Sequence, residues 1–367
     1  MAEPTSTRTV LRRAICQELH MPFMRRTNGE STVGASPTTT RVTDTALFVN
    51  EDGWNNHWWY SITRDEVRRI IDTQSATTEI VLEYPATLPV AGEKYEIHTV
   101  FNAHEIHGAI NRALDDAFPA FFDYVTDESL VVKEDTLKYD ISGLTSIPWR
   151  ISKLFIERND TRIMGTATSG AVGSVTDTTK TFTTVESGWK LSIYAGTGAG
   201  QLRIVSTAVG SVLSPTVAFS PAPDSTSKYA VWNPSEETSQ WENILHVGFD
   251  AKEYPTYFYL GRPFPDSLGL RFRLEYSSRP SALTLEASTT VVPKEFIISK
   301  ALSILFGQKV NDNRADRTRY ANLEEYRRQL AEQYRANRAF NQPDITIWQN
   351  PKSLLSSSYG SSQENPF

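Results

Sequence analysis

An internal repeat constrains the fold of this chain more than any other feature of its sequence. The tetrapeptide Val-Thr-Asp-Thr occurs at residues 42–45 and again at 175–178, 133 residues later. Four further short matches follow in the same order, at offsets of 134 to 136 residues: Gly53-Trp54 with Gly188-Trp189, Arg69-Ile70-Ile71 with Arg203-Ile204-Val205, Pro85 with Pro221, and Lys94-Tyr95 with Lys228-Tyr229. Ordered matches at a nearly constant offset indicate two copies of one small all-β module, each large enough to hold its own core.

Helical periodicity predicts four helices outside these modules. Their approximate limits are residues 10–19, 103–118, 293–306 and 314–339. In the first helix, the periodicity places Val10 on the apolar face and Arg12 outside it. Asn102 and Glu105 have the spacing of a capping box at the start of the second helix. Gly307 is a natural end for the third.

Alternating apolar and polar residues predict additional strands between the second and third helices. These segments are residues 130–141, 148–158, 244–249, 256–260 and 270–276. The predicted class is α+β: a discontinuous four-helix core with two homologous small all-β modules and an additional antiparallel β region inserted, plus an extended C-terminal tail. The predicted boundaries are 1–26, 101–126 and 290–340 for the helical core, 27–100 for module 1, 127–162 and 234–289 for the β region, 163–233 for module 2, and 341–367 for the tail.

Composition excludes several classes of protein. The 367 residues include a single cysteine, Cys16, so neither a disulfide framework nor a cysteine-based zinc site is expected. No apolar stretch has the roughly 18–20 residues that a membrane span needs, and the first twenty residues lack the apolar core of a signal peptide. A net charge of −6 argues against a protein whose main task is to grip nucleic-acid phosphates. We therefore expect a soluble multidomain protein of a reducing compartment.

No motif in the sequence predicts an active site. The glycine-rich segment 196–200 lacks the Gly-Lys-Ser/Thr ending of a nucleotide loop, and module 1 has no glycine at the matching place, so a hairpin turn is the simpler interpretation. His104 and His107 are three residues apart, whereas the helical zinc signature needs a spacing of four, and the sequence shows no third ligand. Asp115 and Asp116 point about 100° apart on a helix and do not face each other. We predict no catalytic, cofactor-binding or metal-binding residue, and no enzyme activity.

Two other clusters have both a functional and a structural interpretation. Trp54, His57, Trp58, Trp59 and Tyr60 could stack on sugar rings, or they could supply a barrel core with one exposed contact. The last helix has seven arginines between residues 314 and 338 against four acidic residues. This excess could contact nucleic acid, although pairing within the helix and contacts between subunits explain it more simply.

Four helices that carry β insertions and end in a polar tail resemble the head-to-tail adaptor, or connector, proteins of tailed bacteriophages. The parts that carry the resemblance are the helices near residues 10–19, 103–118, 293–306 and 314–339. The inserted modules, with their Val-Thr-Asp-Thr, Gly-Trp and Lys-Tyr sequences, resemble small β domains of phage structural proteins. The long additional β region departs from a simple adaptor and leaves open a tail, collar or fibre-docking role.

The resemblance implies a homo-oligomeric ring, usually of about twelve copies, below the portal protein of the capsid. Such a ring would lie in the neck of a virion assembled in the host cytoplasm, would let double-stranded DNA pass without specific binding, and would dock the tail, nozzle or fibre proteins. It would have no membrane contact and no cofactor. The residues expected to bind partners are Arg327, Arg328, Arg335, Arg338, Trp348 and Phe367. The alternative is a tail, collar or fibre-type attachment protein with a glycan-binding β module.

Overall fold

The structure of the chain is a computed structural model. The structure describes residues 5–19, 31–34, 37–44, 53–74, 76–235, 239–244, 247–248, 256–311 and 316–336. The described residues confirm an α+β fold in which every paired strand is antiparallel to its neighbour. The predicted tail, residues 341–367, lies outside the described residues.

Four helices and twenty-two strands make up the regular structure of the described residues. The helices are α1 Arg8–Glu18, α2 Ala103–Ala117, α3 Lys294–Val310 and α4 Arg317–Ala336. The strands are β1 Ser6–Thr7, β2 Ser31–Thr32, β3 Arg41–Thr43, β4 Trp58–Ser61, β5 Glu66–Gln74, β6 Glu79–Leu82, β7 Lys94–His98, β8 Asp123–Asp127, β9 Lys138–Asp140, β10 Pro148–Arg158, β11 Ile163–Thr166, β12 Ser169–Ala171, β13 Ser174–Thr176, β14 Lys190–Ala195, β15 Leu202–Val209, β16 Val212–Pro215, β17 Lys228–Trp232, β18 Gln240–Asn243, β19 Val247–Gly248, β20 Tyr257–Leu260, β21 Phe272–Ser278 and β22 Thr289–Thr290. One short 3₁₀ helix, Pro265–Ser267, precedes β21.

The chain divides into two compact units. Unit 1 comprises Met1–Asp123 and Pro280–Phe340, and unit 2 comprises Tyr124–Arg279 and Asn341–Phe367. Unit 1 therefore contains the four helices and the first β module. Unit 2 contains the second β module and the additional β region.

The helices of unit 1 share one apolar core. The buried side chains of this core come from α1, α2, α3 and their flanking loops: Leu11, Ile15, Phe101, Ile106, Ile110, Leu114, Phe121, Leu283, Phe296, Ile297, Leu302 and Leu305. The capping box at the start of α2 is present, because Asn102 accepts from the backbone of Glu105 while the Glu105 carboxylate accepts from the backbone of Asn102. Helix α4 packs on α3 and buries only Ala331 completely.

Two details of the helix predictions are wrong. Val10 is 49% exposed, whereas Arg12 is completely buried, because an ion pair compensates the burial of this charge. Helix α3 continues past Gly307 to Val310. Gly307 faces α4, where an added Cβ would lie 3.5 Å from the carboxyl carbon of Glu324. This glycine is therefore part of a helix–helix contact and does not end the helix.

The two β modules have the same strand order. In module 1 the order is β2-β7-β4-β5-β6-β3, and in module 2 it is β11-β17-β14-β15-β16-β13, with β12 added at the end. Each module encloses its own cluster of buried side chains, which includes Trp59 and Ile70 in module 1 and Leu191 and Val205 in module 2. The sequence repeat thus corresponds to two copies of one strand arrangement.

The first and last matches of the sequence repeat lie together in each module. Tyr95 donates a hydrogen bond of 2.9 Å from its hydroxyl to Asp44 Oδ2, and Tyr229 donates one of 2.7 Å to Asp177 Oδ2. The hydroxyl and the carboxylate are buried in both modules, so each bond satisfies two polar groups of a β core. This shared bond accounts for the repetition of the aspartate and the tyrosine.

The central match of the repeat is shifted by one residue in the structure. Arg68 and Arg203, not Arg69 and Arg203, make the same bonds: each guanidinium donates to its preceding backbone carbonyl and to a carbonyl across the module, Pro85 O or Ala218 O. A β-bulge in β5 and another in β15 interrupt the register just beyond these arginines. Sequence matching alone could not place the shift, because Arg68 and Arg69 are adjacent.

The additional β region of unit 2 forms two sheets. Strands β18-β10-β21-β8 form a four-stranded sheet and β19-β20-β9 a three-stranded one. Their buried faces share an aromatic core in which Tyr139 stacks on Phe258 and meets Phe272 edge-on. The predicted strand at 130–141 is shorter than expected, since only Lys138–Asp140 pairs as a strand and Val131 makes an isolated bridge.

Candidate functional site at the junction of helices and module 1

A largely buried group of charged and polar side chains joins module 1 to the helices of unit 1, with Asp65 (40% exposed) and Glu286 (19% exposed) at its edge. We call it the polar junction. Its members are Arg8, Arg12, Tyr60, Asp65, Glu96, His98, His107 and Glu286. They come from α1, from strands β4 and β7 and one hairpin loop of module 1, from α2, and from the loop before β22.

Local structure explains how each element presents its side chain. Strand β7 alternates, so Tyr95 and Ile97 enter the module core while Glu96 and His98 face outward to the helices. Asp65 lies in the hairpin loop between β4 and β5 with a φ of 53°, a left-handed conformation that aspartate tolerates better than most residues. Helix α1 is capped by Thr7 and directs Arg12 into the junction.

Arg12 and Glu96 form the centre of the polar junction. The Arg12 guanidinium donates to both carboxylate oxygens of Glu96, at 2.9 and 3.0 Å, and both side chains are completely buried. His98 Nε2 donates to the same carboxylate at 3.0 Å, while its Nδ1 faces the thiol of Cys16 at 4.0 Å. Burial raises the pKa of the Cys16 thiol, so this cysteine carries no thiolate chemistry.

The second half of the polar junction is arranged around Tyr60. Its hydroxyl lies 3.0 Å from Asp65 Oδ1 and 2.9 Å from Glu286 Oε1. Arg8 bridges the same two carboxylates, with its NH2 group 3.1 Å from Asp65 Oδ2 and 2.8 Å from Glu286 Oε1. Arg12 donates its remaining bonds to Glu286 Oε2 at 2.5 Å and to His107 Nε2 at 3.1 Å.

Charge pairing sets the ionisation of the polar junction. Burial opposes the charge on Glu96, but hydrogen bonds from His98 and Arg12 outweigh it and lower the pKa of Glu96 to about 2. Burial also opposes the charge on Glu286, and Arg12 lowers the pKa of this carboxyl to about 2. Burial together with Arg12 and Arg8 lowers the pKa of His107 to about 3, so its imidazole is neutral at pH 7.

Three side chains of the polar junction have the types and spacing of metal ligands. One ligand atom each from Asp65, His107 and Glu286 lie within 4.8 Å of one another. Nδ1 of His107 is 3.6 Å from Asp65 Oδ1, and Nε2 of His104 is also 3.6 Å from that oxygen. The structure thus places two distant carboxylates beside the pair His104–His107, where the sequence showed no third ligand.

Module 2 also packs against its neighbour through the outward face of its last strand, but the side chains on that face are different. Trp232, which ends β17 as His98 ends β7, is completely buried with Ala230, Leu270 and Val131. Its Nε1 donates to Glu157 at 3.0 Å, and Glu157 also accepts from Arg271. The two modules therefore present equivalent strands to their neighbours. In unit 1 the contact is made by buried ion pairs, and in unit 2 by apolar packing around Trp232 with a more exposed ion pair between Lys228 and Glu134.

The structure separates the other candidate residues. Segment 196–200 connects β14 to β15 as a hairpin loop, and Asp116 pairs with Lys300 at 3.1 Å on the surface. In the tryptophan-rich cluster, Trp59 is buried in the module core and Tyr60 in the polar junction, so these two rings present no face to a sugar.

The predicted partner-binding residues are not brought together into one site. On α4, Arg327 pairs with Glu18 of α1 at 2.6 Å, and exposed Arg328 pairs with Glu325 one turn earlier. Arg335 lies half-buried in the last turn of that helix. The remaining three, Arg338, Trp348 and Phe367, lie outside the described residues.

Comparisons with known protein families, with curated proteins and with solved structures give no match to this chain. Among the described residues, none of the helices combines the length and the apolar character needed to cross a bilayer.

Acid is expected to weaken the polar junction. The pKa of Glu96 is about 2 in the folded chain against 4.5 ordinarily, so its stabilising charge is fully present above pH 4.5 and is lost as the pH falls towards 2. The corresponding loss in free energy of unfolding is about 2 kcal/mol between about pH 6 and pH 3. Urea denaturation at both pH values measures it, with Glu96→Gln as the control that removes this contribution. An equal pH dependence in both proteins would contradict the assignment.

Proposed function

We propose that the chain is a structural protein of a virion, a head-to-tail adaptor whose copies form a ring below the portal and support the tail or its fibres. The observation that carries the proposal is the duplicated β module, fixed through the same face to two different bodies. Repeated modules held rigidly on a helical frame suit a protein that acts through assembly. The proposal includes homology of the two modules and a discontinuous four-helix core that α4 completes.

Helix α4 supports an assembly role because much of its surface remains open. Tyr320 and Leu323 pack partly against the helical core and Ala331 is buried, whereas Tyr326 is 58% and Tyr334 38% exposed. Exposed aromatic rings beside arginines are typical of protein interfaces. We propose that these rings contact the neighbouring subunit of the ring, together with Arg328 and Arg335. The tail, including Trp348 and Phe367, is proposed to contact a neighbouring copy or the portal.

Electrostatics agree with a channel that lets DNA slide. The chain has 37 basic and 43 acidic residues, so a ring of many copies carries a large negative charge. Such a ring repels phosphates and does not retain the passing genome. Assembly in the host cytoplasm and a final place in the neck of the virion follow from the proposed role.

Native mass spectrometry of the full chain, alone and with the portal protein of the same genome, tests the proposal. We expect a closed ring of about twelve copies, formed either alone or on the portal. The double variant Tyr326→Glu/Tyr334→Glu should lower the fraction of rings by roughly tenfold, because it places charges in the contact. Tyr84→Glu, at a 66% exposed position of module 1, is the matched control and should leave the ring intact.

A stable trimer that ignores the portal would refute the adaptor. It would favour a fibre-type attachment protein, whose glycan binding a glycan array would then measure. A ring unaffected by the α4 double variant would keep the adaptor and reject α4 as its interface.

A further inference from the structure

We propose that Asp65, His107 and Glu286 bind one divalent transition-metal ion of the Zn²⁺ type inside the polar junction. The three ligands come from segments that are far apart in the chain: a hairpin loop of module 1, helix α2 and the loop before β22. An ion at this point would fasten the module to the helices. The inference is independent of the proposed role as an adaptor.

The distances between the candidate ligand atoms suit a small ion. His107 Nδ1 lies 3.6 Å from Asp65 Oδ1, and one ligand atom each of Asp65, His107 and Glu286 lie within 4.8 Å of one another. Ligands bound at about 2.0–2.1 Å to a tetrahedral ion are about 3.3 Å apart, so small shifts of these side chains would close the site. One imidazole and two carboxylates form a donor set that Zn²⁺ accepts, and they leave a fourth position open.

An unsatisfied nitrogen points into this cluster. His107 is 6% exposed, and its Nδ1 is a buried polar atom without a hydrogen-bond partner among the described residues. Arg12 already donates to Nε2, so Nδ1 bears the proton of the neutral ring, 3.6 Å from the nearest carboxylate oxygen. A buried donor left in this way costs about 1–3 kcal/mol. A metal ion that replaces this proton would remove the cost.

Tyr60 provides a second observation at the same point. Its hydroxyl has one proton but lies within hydrogen-bond distance of two carboxylate oxygens, on Asp65 and Glu286. The single proton of the hydroxyl can be donated to only one of these two oxygens at a time. The second carboxylate oxygen then lies within 3.0 Å of the hydroxyl oxygen of Tyr60, with no hydroxyl proton between these two atoms. A cation bound to both carboxylates would relieve this repulsion.

Arg8 and Arg12 orient the carboxylates of Asp65 and Glu286, and Arg8 also competes with an ion for one of their oxygens. Arg8 donates to Asp65 Oδ2 and Arg12 to Glu286 Oε2, so each carboxylate keeps its other oxygen towards the cluster. Outer hydrogen bonds of this kind orient metal-ligating carboxylates. Arg8 also donates from Nε to Glu286 Oε1 at 3.0 Å, and its NH2 group lies 2.8 Å from the same oxygen, so binding of an ion requires both contacts to lengthen. The affinity therefore reflects a competition between the ion and one guanidinium.

Isothermal titration of the chelator-treated full chain with ZnCl₂ tests the proposal, with Co²⁺ as a spectroscopic probe. We expect one ion per chain, a rise in melting temperature on binding, and visible Co²⁺ absorption bands of a four-coordinate site. His107→Gln and Asp65→Asn should each weaken Zn²⁺ binding roughly tenfold or more. His57→Gln, a histidine of module 1 outside the polar junction, is the matched control and should bind as the unmodified chain does.

Absence of Zn²⁺ uptake by the unmodified chain would overturn the proposal. Uptake that neither His107→Gln nor Asp65→Asn changes would do the same, because the ion would then be bound elsewhere. Circular dichroism confirms that each variant is folded. If both variants fail to fold, the Co²⁺ spectrum of the unmodified chain decides, and a purely six-coordinate spectrum with weak bands would reject the site.

Discussion

Replacing Arg12 with methionine should lower the free energy of unfolding of unit 1 by about 3–5 kcal/mol. The methionine fills most of the space of the arginine, but Glu96 then stays buried without its bidentate partner. Glu286 loses one of its two guanidinium contacts at the same time. Urea denaturation followed by circular dichroism measures the loss, and hydrogen exchange of peptides from α1 and β7 assigns it to unit 1.

Two companion variants make this result specific to the ion pair. Arg69→Met removes an exposed arginine of the same module, which donates only to Asn56, and should cost less than about 0.5 kcal/mol. The double variant Arg12→Met/Glu96→Gln should recover a large part of the stability, because the buried carboxylate that loses its partner is removed as well and Glu286 keeps Arg8. If the double variant is as unstable as the sum of its single variants, the pairing of these two residues is not what holds the junction.

Replacing Trp232 with alanine should destabilise unit 2 by about 3–5 kcal/mol. The indole is completely buried between module 2 and the β region, and its loss leaves a cavity and an unfilled acceptor on Glu157. Thermal unfolding and hydrogen exchange of peptides from β10 and β17 measure the effect. The control is Val209→Ala at a 74% exposed position, which should change stability by less than about 0.5 kcal/mol. Equal effects of the two variants would show that Trp232 does not hold the module.

Features with local periodicity could be predicted from the sequence. The capping residues Asn102 and Glu105 fix the start of α2, and the repeat of Asp44 and Tyr95 as Asp177 and Tyr229 indicates a shared core. Arg12 could not be predicted as buried, because helical amphipathicity assigns a charged residue to the outer face. Its partner Glu96 lies 84 residues away in the chain, and the periodicity of α1 contains no information about it.

The candidate site could be predicted only in part. The spacing of His104 and His107 drew attention to the start of α2, but a sequence does not show which distant carboxylates fold against a helix. One signal was present in the repeat itself. Where module 1 has Glu96 and His98 on the outward positions of a strand, module 2 has Ala230 and Trp232. Such a change from charged to apolar residues at matched positions marks the face that each module buries.

The contrast between these two faces also protects the chain while it folds. Two modules with one strand order could exchange places during synthesis and trap a misassembled chain. Module 1 in the place of module 2 would bury Glu96 against Leu270 and Val131, where the guanidinium of Arg271 is already paired with Glu157. In the opposite exchange, the indole of Trp232 would take the place of Glu96 and leave the buried Arg12 with Glu286 as its carboxylate partner. Each module therefore matches only its own neighbour, the helices of unit 1 or the β region of unit 2. Duplication of the module does not make the assembly ambiguous.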